Sequence, residues 1–222
     1  MLKRGTITSV FLVCICMAVA VCTKASMHDS GAVSVRSIED IQKVPFQFYG
    51  IFDDDWMERE EEFYELAEEA DLILVVRPTG QIQLHSYAVL QEVEVTHIVD
   101  AKENVSDKIW IESNCGFDYQ PNKRMDTLFN FGISNILYPE WEYLVFLRQY
   151  SWAPGFYYNK FYTGGLRLTC QVDDMTLDDE KIYTYGELSE CEFFADSAET
   201  LGWLYGIKED LLNTYYPEGA DR

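Results

Sequence analysis

The hydrophobic and polar positions of this chain follow a helical period, then a strand period, then a helical one again. Between positions 55 and 70, Trp56, Phe63, Leu66, Ala67 and Ala70 recur at helical spacing, while Glu58, Glu60, Glu61, Glu62, Glu65, Glu68 and Glu69 fill the rest. The spacing predicts an amphipathic helix over 55–70 with a strongly acidic outer face. Asp55, with Glu58 three residues on, fits a capping box at its start. Acids in the last turn oppose the helix macrodipole, so that end is expected to fray or to lean on the rest of the fold.

From residue 71 the pattern becomes that of strands. Leu72-Ile73-Leu74-Val75-Val76 is a continuous apolar run, and Pro78-Thr79-Gly80 behind it reads as a turn. Over 83–99, Tyr87, Val89, Val93, Val95 and Val99 share one parity and Ser86, Glu92, Glu94 and Thr96 the other. That alternation predicts one long strand with a core face and a water face. Further strands are expected at 107–113, 142–148 and 182–185, with one or two more across 157–169, interrupted by Gly164-Gly165. Residues 116–138 read as a long loop with a short turn of helix. A last helical stretch spans 196–216, capped by Asp196 or Ser197, with Leu201, Leu204, Tyr205, Leu211, Leu212 and Tyr215 on one face. Gly202 and Gly206 each weaken it by about 1 kcal/mol relative to Ala. One long helix, or two short ones meeting at Gly206, both fit, and Pro217 ends the stretch.

Helix, five or six antiparallel strands, helix: the sum is a mainly β chain with flanking helices (α+β), built as a small antiparallel OB-like barrel. Closing the sheet removes the exposed edges of a strand-rich chain. Residues 55–222 form the expected single domain. Residues 27–54 read as a tether whose aromatic end, Pro45-Phe46-Gln47-Phe48-Tyr49-Gly50, docks on that domain.

The stretch Ala70-Asp71-Leu72-Ile73-Leu74-Val75-Val76, the strand over 89–99, the strand over 108–111 and Glu142-Tyr143-Leu144-Val145-Phe146-Leu147 together cover residues 70–150. This region resembles the exported OB-type barrel of tissue-inhibitor-of-metalloproteinase-like and netrin-like domains. The resemblance implies a fold and a compartment. It does not carry the inhibitory activity, because those inhibitors act through a cysteine at the mature N-terminus, and here a tether and a glutamate-rich helix precede the first strand.

The N-terminus agrees with export. Lys3 and Arg4 precede an uncharged run over 5–23, the layout of a secretory signal within residues 1–26. Ala18-Val19-Ala20 offers a cleavage site; left uncut, the run is just long enough to anchor the chain in a bilayer. Cleaved signal and retained anchor both place the domain outside the cytoplasm, and the membrane is touched only through this segment.

Charge narrows the partners. The formal net charge is −21, from 17 basic and 38 acidic residues. A surface this negative repels phosphate backbones, so nucleic acid is not an expected partner. Of six cysteines, Cys14, Cys16 and Cys22 fall in or beside the signal, leaving Cys115, Cys170 and Cys191. None sits in a C-x-x-C motif, so no zinc or thioredoxin-like centre is indicated. A disulfide between Cys170 and Cys191 is allowed by the compartment, and buried free thiols are the plain alternative.

Reactive constellations are scarce. His28 lies in the tether, and His85 and His97 fall twelve residues apart on the long strand, on the order of 40 Å, too far to share a metal. There is no G-x-S-x-G, no phosphate-binding glycine loop and no H-E-x-x-H. Asp173-Asp174 and Asp178-Asp179-Glu180 read as a charged hairpin loop that lacks the ligand phase of a calcium loop. Asn104-Val105-Ser106 is a formal glycosylation sequon. The densest unusual feature is aromatic: Tyr150, Trp152, Phe156, Tyr157, Tyr158, Phe161 and Tyr162 around Pro154-Gly155. It reads either as a recognition loop, with Tyr150, Trp152, Phe156, Tyr157 and Tyr158 as the contact surface, or as a hairpin whose rings plug the barrel end. The expectation is a non-catalytic module that binds an envelope or extracellular protein and needs no cofactor or metal. The alternative is a secreted enzyme using Cys115 or a carboxylate pair.

Overall fold

The structure is a computed structural model and describes residues 36–48, 54–85, 88–113, 115–119, 126–130, 132–151, 153, 155–159, 164–169, 174–178 and 181–217. The export segment, His28, Trp152 and Cys170 lie outside these residues. A short 3-10 turn (Ile38–Ile41) precedes β1 (Pro45–Phe48), and a second one (Asp54–Arg59) runs into α1 (Glu60–Glu68). There follow β2 (Leu72–His85), β3 (Ala88–Ala101), β4 (Lys108–Ser113), β5 (Cys115–Tyr119), β6 (Asp126–Asn130), β7 (Tyr143–Gln149), β8 (Phe156–Asn159), β9 (Leu166–Arg167) and β10 (Tyr183–Thr184). The chain ends in α2 (Tyr185–Leu188) and α3 (Ala198–Tyr215).

Five strands close into a barrel in the order β2-β3-β4-β8-β7, with β7 returning to β2 from Leu72↔Leu147 to Val76↔Tyr143. Helix α1 precedes the barrel and α3 follows it, as expected. The all-antiparallel meander is corrected at one seam, because β4 and β8 run parallel through Trp110↔Phe156, Ile111↔Tyr157 and Glu112↔Tyr158. A parallel pair cannot be joined by a hairpin. The chain therefore leaves the barrel after β4 and re-enters it at β7 before pairing β8.

That excursion builds a second sheet, β10-β1-β6-β5, in which β1 is parallel to β6 and antiparallel to β10. Residues 116–138 are thus not simply a loop, since β5 and β6 pair there. Nor is the second half of the 27–54 segment a tether. Ile38, Ile41 and Phe46 are buried, and Ile82 donates its backbone N–H to Arg36. Burying three large apolar side chains outweighs the freedom a tether would keep.

β2 runs unbroken through Pro78-Thr79-Gly80, where a turn was expected. Pro78 lies opposite Val93 and Ile82 opposite Gln91, so extra residues bulge out of β2. Proline lacks the N–H that a regular ladder needs, Gly80 takes the positive φ of +84° that a bulge can use, and pairing with the same strand resumes at Ile82. Thr79 Oγ1 ties the bulge to the Glu92 carbonyl and carboxylate at 3.2 and 3.0 Å. The reversal falls instead between His85 and Ala88, so His85 and His97 lie on neighbouring strands. They are still roughly 30 Å apart along the sheet at about 3.3 Å per residue.

Alternation along the strands makes two cores. Leu72, Leu74, Val76, Val93, Ile109, Ile111, Tyr143, Val145, Leu147 and Tyr157 fill the barrel. Ile73, Val75, Leu144 and Phe146, on the opposite faces of β2 and β7, join the second sheet and the helices in a larger outer core. The helix α3 is one piece. Gly202 and Gly206 both face solvent, and Leu201, Leu204, Ile207, Leu211 and Leu212 are buried on the other side. Ser197 caps it, accepting from the Thr200 N–H at 3.1 Å.

The helix α1 starts later than the Asp55 capping box suggested. The α-helical turns begin at Glu60, so Glu60, Glu61 and Glu62 fall in the first turn, where the macrodipole favours acids. Its acidic end leans on the barrel: Arg148 of β7 reaches the Glu69 carbonyl at 3.3 Å and its carboxylate at 3.2 Å. Phe63 meets Trp203 edge-on at 5.5 Å, fastening α1 to α3.

Phe146 joins the barrel wall to α3, with its ring 5.3 Å from that of Tyr215. Phe146→Ala is expected to cost about 3–5 kcal/mol, the usual range for deleting a buried phenyl ring, measured as a drop in urea midpoint at constant slope.

Candidate functional site

Two arrangements stand out, a cleft on the barrel and a buried ionic knot under α3. The cleft holds about 440 Å³ and is lined by Gln83, Ala88, Leu90, Glu112, Tyr150, Ala153 and Phe156. Its wall is made by the second and third barrel strands, β3 and β4, with Gln83 from the end of β2. Its end is made by the β7–β8 hairpin. That hairpin is tight: Tyr150 N–H donates to the Phe156 carbonyl at 3.1 Å, Phe156 N–H to Ala153 at 3.1 Å, and Gly155 takes φ +84°. Trp110 N–H donates to the Gly155 carbonyl at 3.3 Å, pinning the hairpin to β4. Among the described lining residues, Gln83, Tyr150 and Glu112 carry the polar groups and the other four are apolar.

The aromatic segment divides between the two expected roles. Phe156 and Tyr150 line the cleft, and Tyr158 packs on Tyr150 with ring centroids 4.8 Å apart. Tyr157 points the other way. It is 3% exposed, belongs to the barrel interior and donates its hydroxyl to Glu103 at 3.4 Å. Tyr157 is therefore corrected from contact residue to core residue. Successive strand residues point to opposite faces, so three adjacent aromatics cannot share one surface.

The sequence also held an unused signal. Ala88 and Leu90 share the parity of Glu92, Glu94 and Thr96, the water face of β3. Apolar residues on a water face mark the place where the cleft cuts into it.

The knot lies between β9, the 190–193 segment and α3. Glu192 and Lys208 are both buried and meet at 2.6 Å. The other Glu192 oxygen accepts the Arg167 backbone N–H at 2.7 Å, and Lys208 also donates to the Thr169 carbonyl at 3.2 Å. The buried Arg167 guanidinium donates to the Glu190 carbonyl at 3.0 Å and lies 4.8 Å over the Trp141 ring. Desolvation pushes the Glu192 carboxyl above the usual carboxylate range, and the Lys208 charge opposes that shift. Burial likewise pushes Tyr143 up to about 12.

Asp174, from the expected charged loop, accepts the Glu192 and Phe193 backbone N–H groups at 2.7 and 2.8 Å and the Tyr205 hydroxyl at 2.6 Å. Those bonds hold one chain segment against another. Cys191 is a free, buried thiol whose pKa burial raises, which makes it a poor nucleophile. Its expected disulfide partner, Cys170, lies outside the described residues. Cys115 opens β5 opposite Asn130, and only its backbone is described. His97 is exposed and packs at a tilt against Tyr216, with ring centroids 5.8 Å apart. Among the described residues, no three His, Cys, Asp or Glu side chains converge as a metal site.

Fold and cleft together define the class: a closed five-stranded OB-like barrel, clasped by helices, with an apolar cleft at the β3–β4 wall and the β7–β8 hairpin. Comparison with protein-family models, with curated proteins and with solved structures finds no match.

Removing Lys208 leaves the Glu192 carboxylate buried without its cation, a change that typically costs about 3–5 kcal/mol. Lys208→Met is expected to lose that much at pH 7.5. A carboxyl raised in the fold contributes stability below its ordinary pKa and loses it as pH rises through the folded value. The deficit of Lys208→Met therefore shrinks toward pH 4.5, where Glu192 takes up a proton. Urea titrations of wild type and variant at the two pH values measure the difference.

Proposed function

We propose that the chain is an exported, non-catalytic barrel module, netrin-like in architecture, that binds an envelope or extracellular protein through the cleft. The observation that carries this reading is the cleft itself. It lies on the second and third barrel strands and the hairpin joining the fourth and fifth, the face that OB-type barrels use for their ligands. Its volume falls in the range of sites that accept a small ligand or a few large side chains. Tyrosine, phenylalanine and leucine on a concave surface are favoured contact residues, and a rigid hairpin presents them with little ordering cost. The net charge of −21 sets the face against oligonucleotides, the usual cargo of such barrels.

The enzyme reading has less behind it. It needs a nucleophile beside a base. Within the described side chains, Cys191 is buried under raised pKa and Asp174 is consumed in holding the chain together. The signal-like residues 1–26 place the module outside the cytoplasm in this proposal, as a free or tethered domain.

A photo-crosslinking residue at Gln83, on the cleft wall, is expected to give one dominant adduct with an exported protein in the producing cell. The same residue at Ile98, exposed on β3 beyond the cleft lining, gives none. Ala88→Tyr fills the cleft and abolishes the Gln83 adduct. An adduct that survives Ala88→Tyr, or equal labelling from both positions, overturns the reading.

A further inference from the structure

We propose that the cleft reads a cationic side chain set beside a large apolar one on its protein partner; this rests on the reading of the cleft as a protein-binding site. The argument starts from one row of neighbours across the sheet. Gln83 lies opposite Leu90, Leu90 opposite Glu112, Glu112 opposite Tyr158, and Tyr158 opposite Arg148. Glu112, the carboxylate among the described lining residues, therefore stands between an aliphatic side chain and the Tyr158 ring, which packs at a tilt on Tyr150. Arg148 at the end of the row is directed to Glu69 on α1, at 3.2 Å. Glu92, on the adjacent row, is already matched by Lys108 at 3.7 Å.

A cation that approaches Glu112 meets a carboxylate with the aromatic pair of Tyr158 and Tyr150 beside it. Both attract it, and the apolar wall strengthens the attraction by thinning the water between them. Glu112 already takes part in an interaction within the chain. A carboxylate has about four acceptor sites, so a further donor adds to what it holds. Among the other described lining residues, Ala88, Leu90, Ala153 and Phe156 carry apolar side chains and suit an aliphatic or aromatic neighbour of that cation. Electrostatics act in the same direction at longer range, since the chain as a whole carries −21 and draws basic segments toward it. A sugar chain fits less well. Its many hydroxyls would find few partners among the described lining residues, where Gln83, Tyr150 and Glu112 are the polar ones.

The test uses the exported chain, 15N-labelled, and three acetylated and amidated tripeptides: Lys-Trp-Lys, Gln-Trp-Gln and Glu-Trp-Glu. Amide signals of Ala88, Leu90, Glu112, Ala153 and Phe156 report occupancy. Lys-Trp-Lys is expected to saturate them at about fivefold lower concentration than Gln-Trp-Gln, the scale of one partly exposed ion pair. Glu-Trp-Glu binds more weakly than either. Glu112→Gln cuts the advantage of the basic peptide to the roughly twofold or less that the overall charge supplies and leaves Gln-Trp-Gln binding unchanged, and the remaining signals of the same spectrum show that the variant is folded. Equal binding of the basic and neutral peptides, or a preference undiminished by Glu112→Gln, overturns the cationic inference while the cleft remains a protein site. If no tripeptide moves the cleft signals, or if cellotetraose alone does, the protein-binding reading falls with it.

Discussion

The pairing of β2 with β7 closes the barrel, and every other feature is hung on that seam. Five consecutive rungs, from Leu72↔Leu147 to Val76↔Tyr143, join strands about seventy residues apart in sequence. Both strands are buried on both faces: Leu72, Leu74, Val145 and Leu147 toward the barrel, Ile73, Val75, Leu144 and Phe146 toward the outer core. A strand buried on two sides must be apolar throughout, which is why these two segments read as continuous hydrophobic runs and not as alternations. Closure also removes the two edges that an open five-stranded sheet would present to other chains.

The outer core needs its own cover, and α3 supplies it. Leucine packing alone would hold the helix, yet the fold also spends a lysine and a glutamate on the contact. A buried ion pair is seldom a net source of stability, because desolvating both charges offsets their attraction. Its effect here is on register. Lys208 reaches both the Glu192 carboxylate and the Thr169 carbonyl, Glu192 returns to the Arg167 N–H, and Asp174 gathers the next two backbone N–H groups. Apolar faces tolerate sliding. A chain of hydrogen bonds to specific backbone atoms does not. The knot thereby fixes where α3 sits along β9, and through Phe146 and Tyr215 it fixes α3 against the barrel wall.

The barrel was legible in the sequence because its strands carry strong one-dimensional patterns, the runs at 72–76 and 143–147 and the alternation from Val89 onward. Two local readings failed for the same reason. Pro78-Thr79-Gly80 resembles a turn, and Pro45 to Phe48 resembles the end of a tether, when only neighbours in sequence are weighed. Tertiary pairing overrides both. The second sheet was not legible at all: β1 and β6 are four- and five-residue strands whose parallel pairing spans some eighty positions. The knot was equally hidden, since nothing in spacing links Glu192 to Lys208 or Arg167. The aromatic segment lay between these cases. Its importance was visible, but the inward turn of Tyr157 and the outward turn of Phe156 and Tyr158 follow from the register of β8 against β4.

That register divides the side chains of the same strands between the barrel interior and its outer wall. On β3, β4 and β8 the odd-numbered residues Val93, Ile109, Ile111 and Tyr157 fill the barrel, while the even-numbered Leu90, Glu112, Phe156 and Tyr158 stand on its outer wall. The two sets share a backbone but not a surface, so a substitution in the outer set leaves the inner packing intact. The β7–β8 hairpin extends the same division. Its geometry is set by backbone hydrogen bonds among Tyr150, Ala153 and Phe156 and by Gly155, while Tyr157, next along the strand, turns inward to the barrel core.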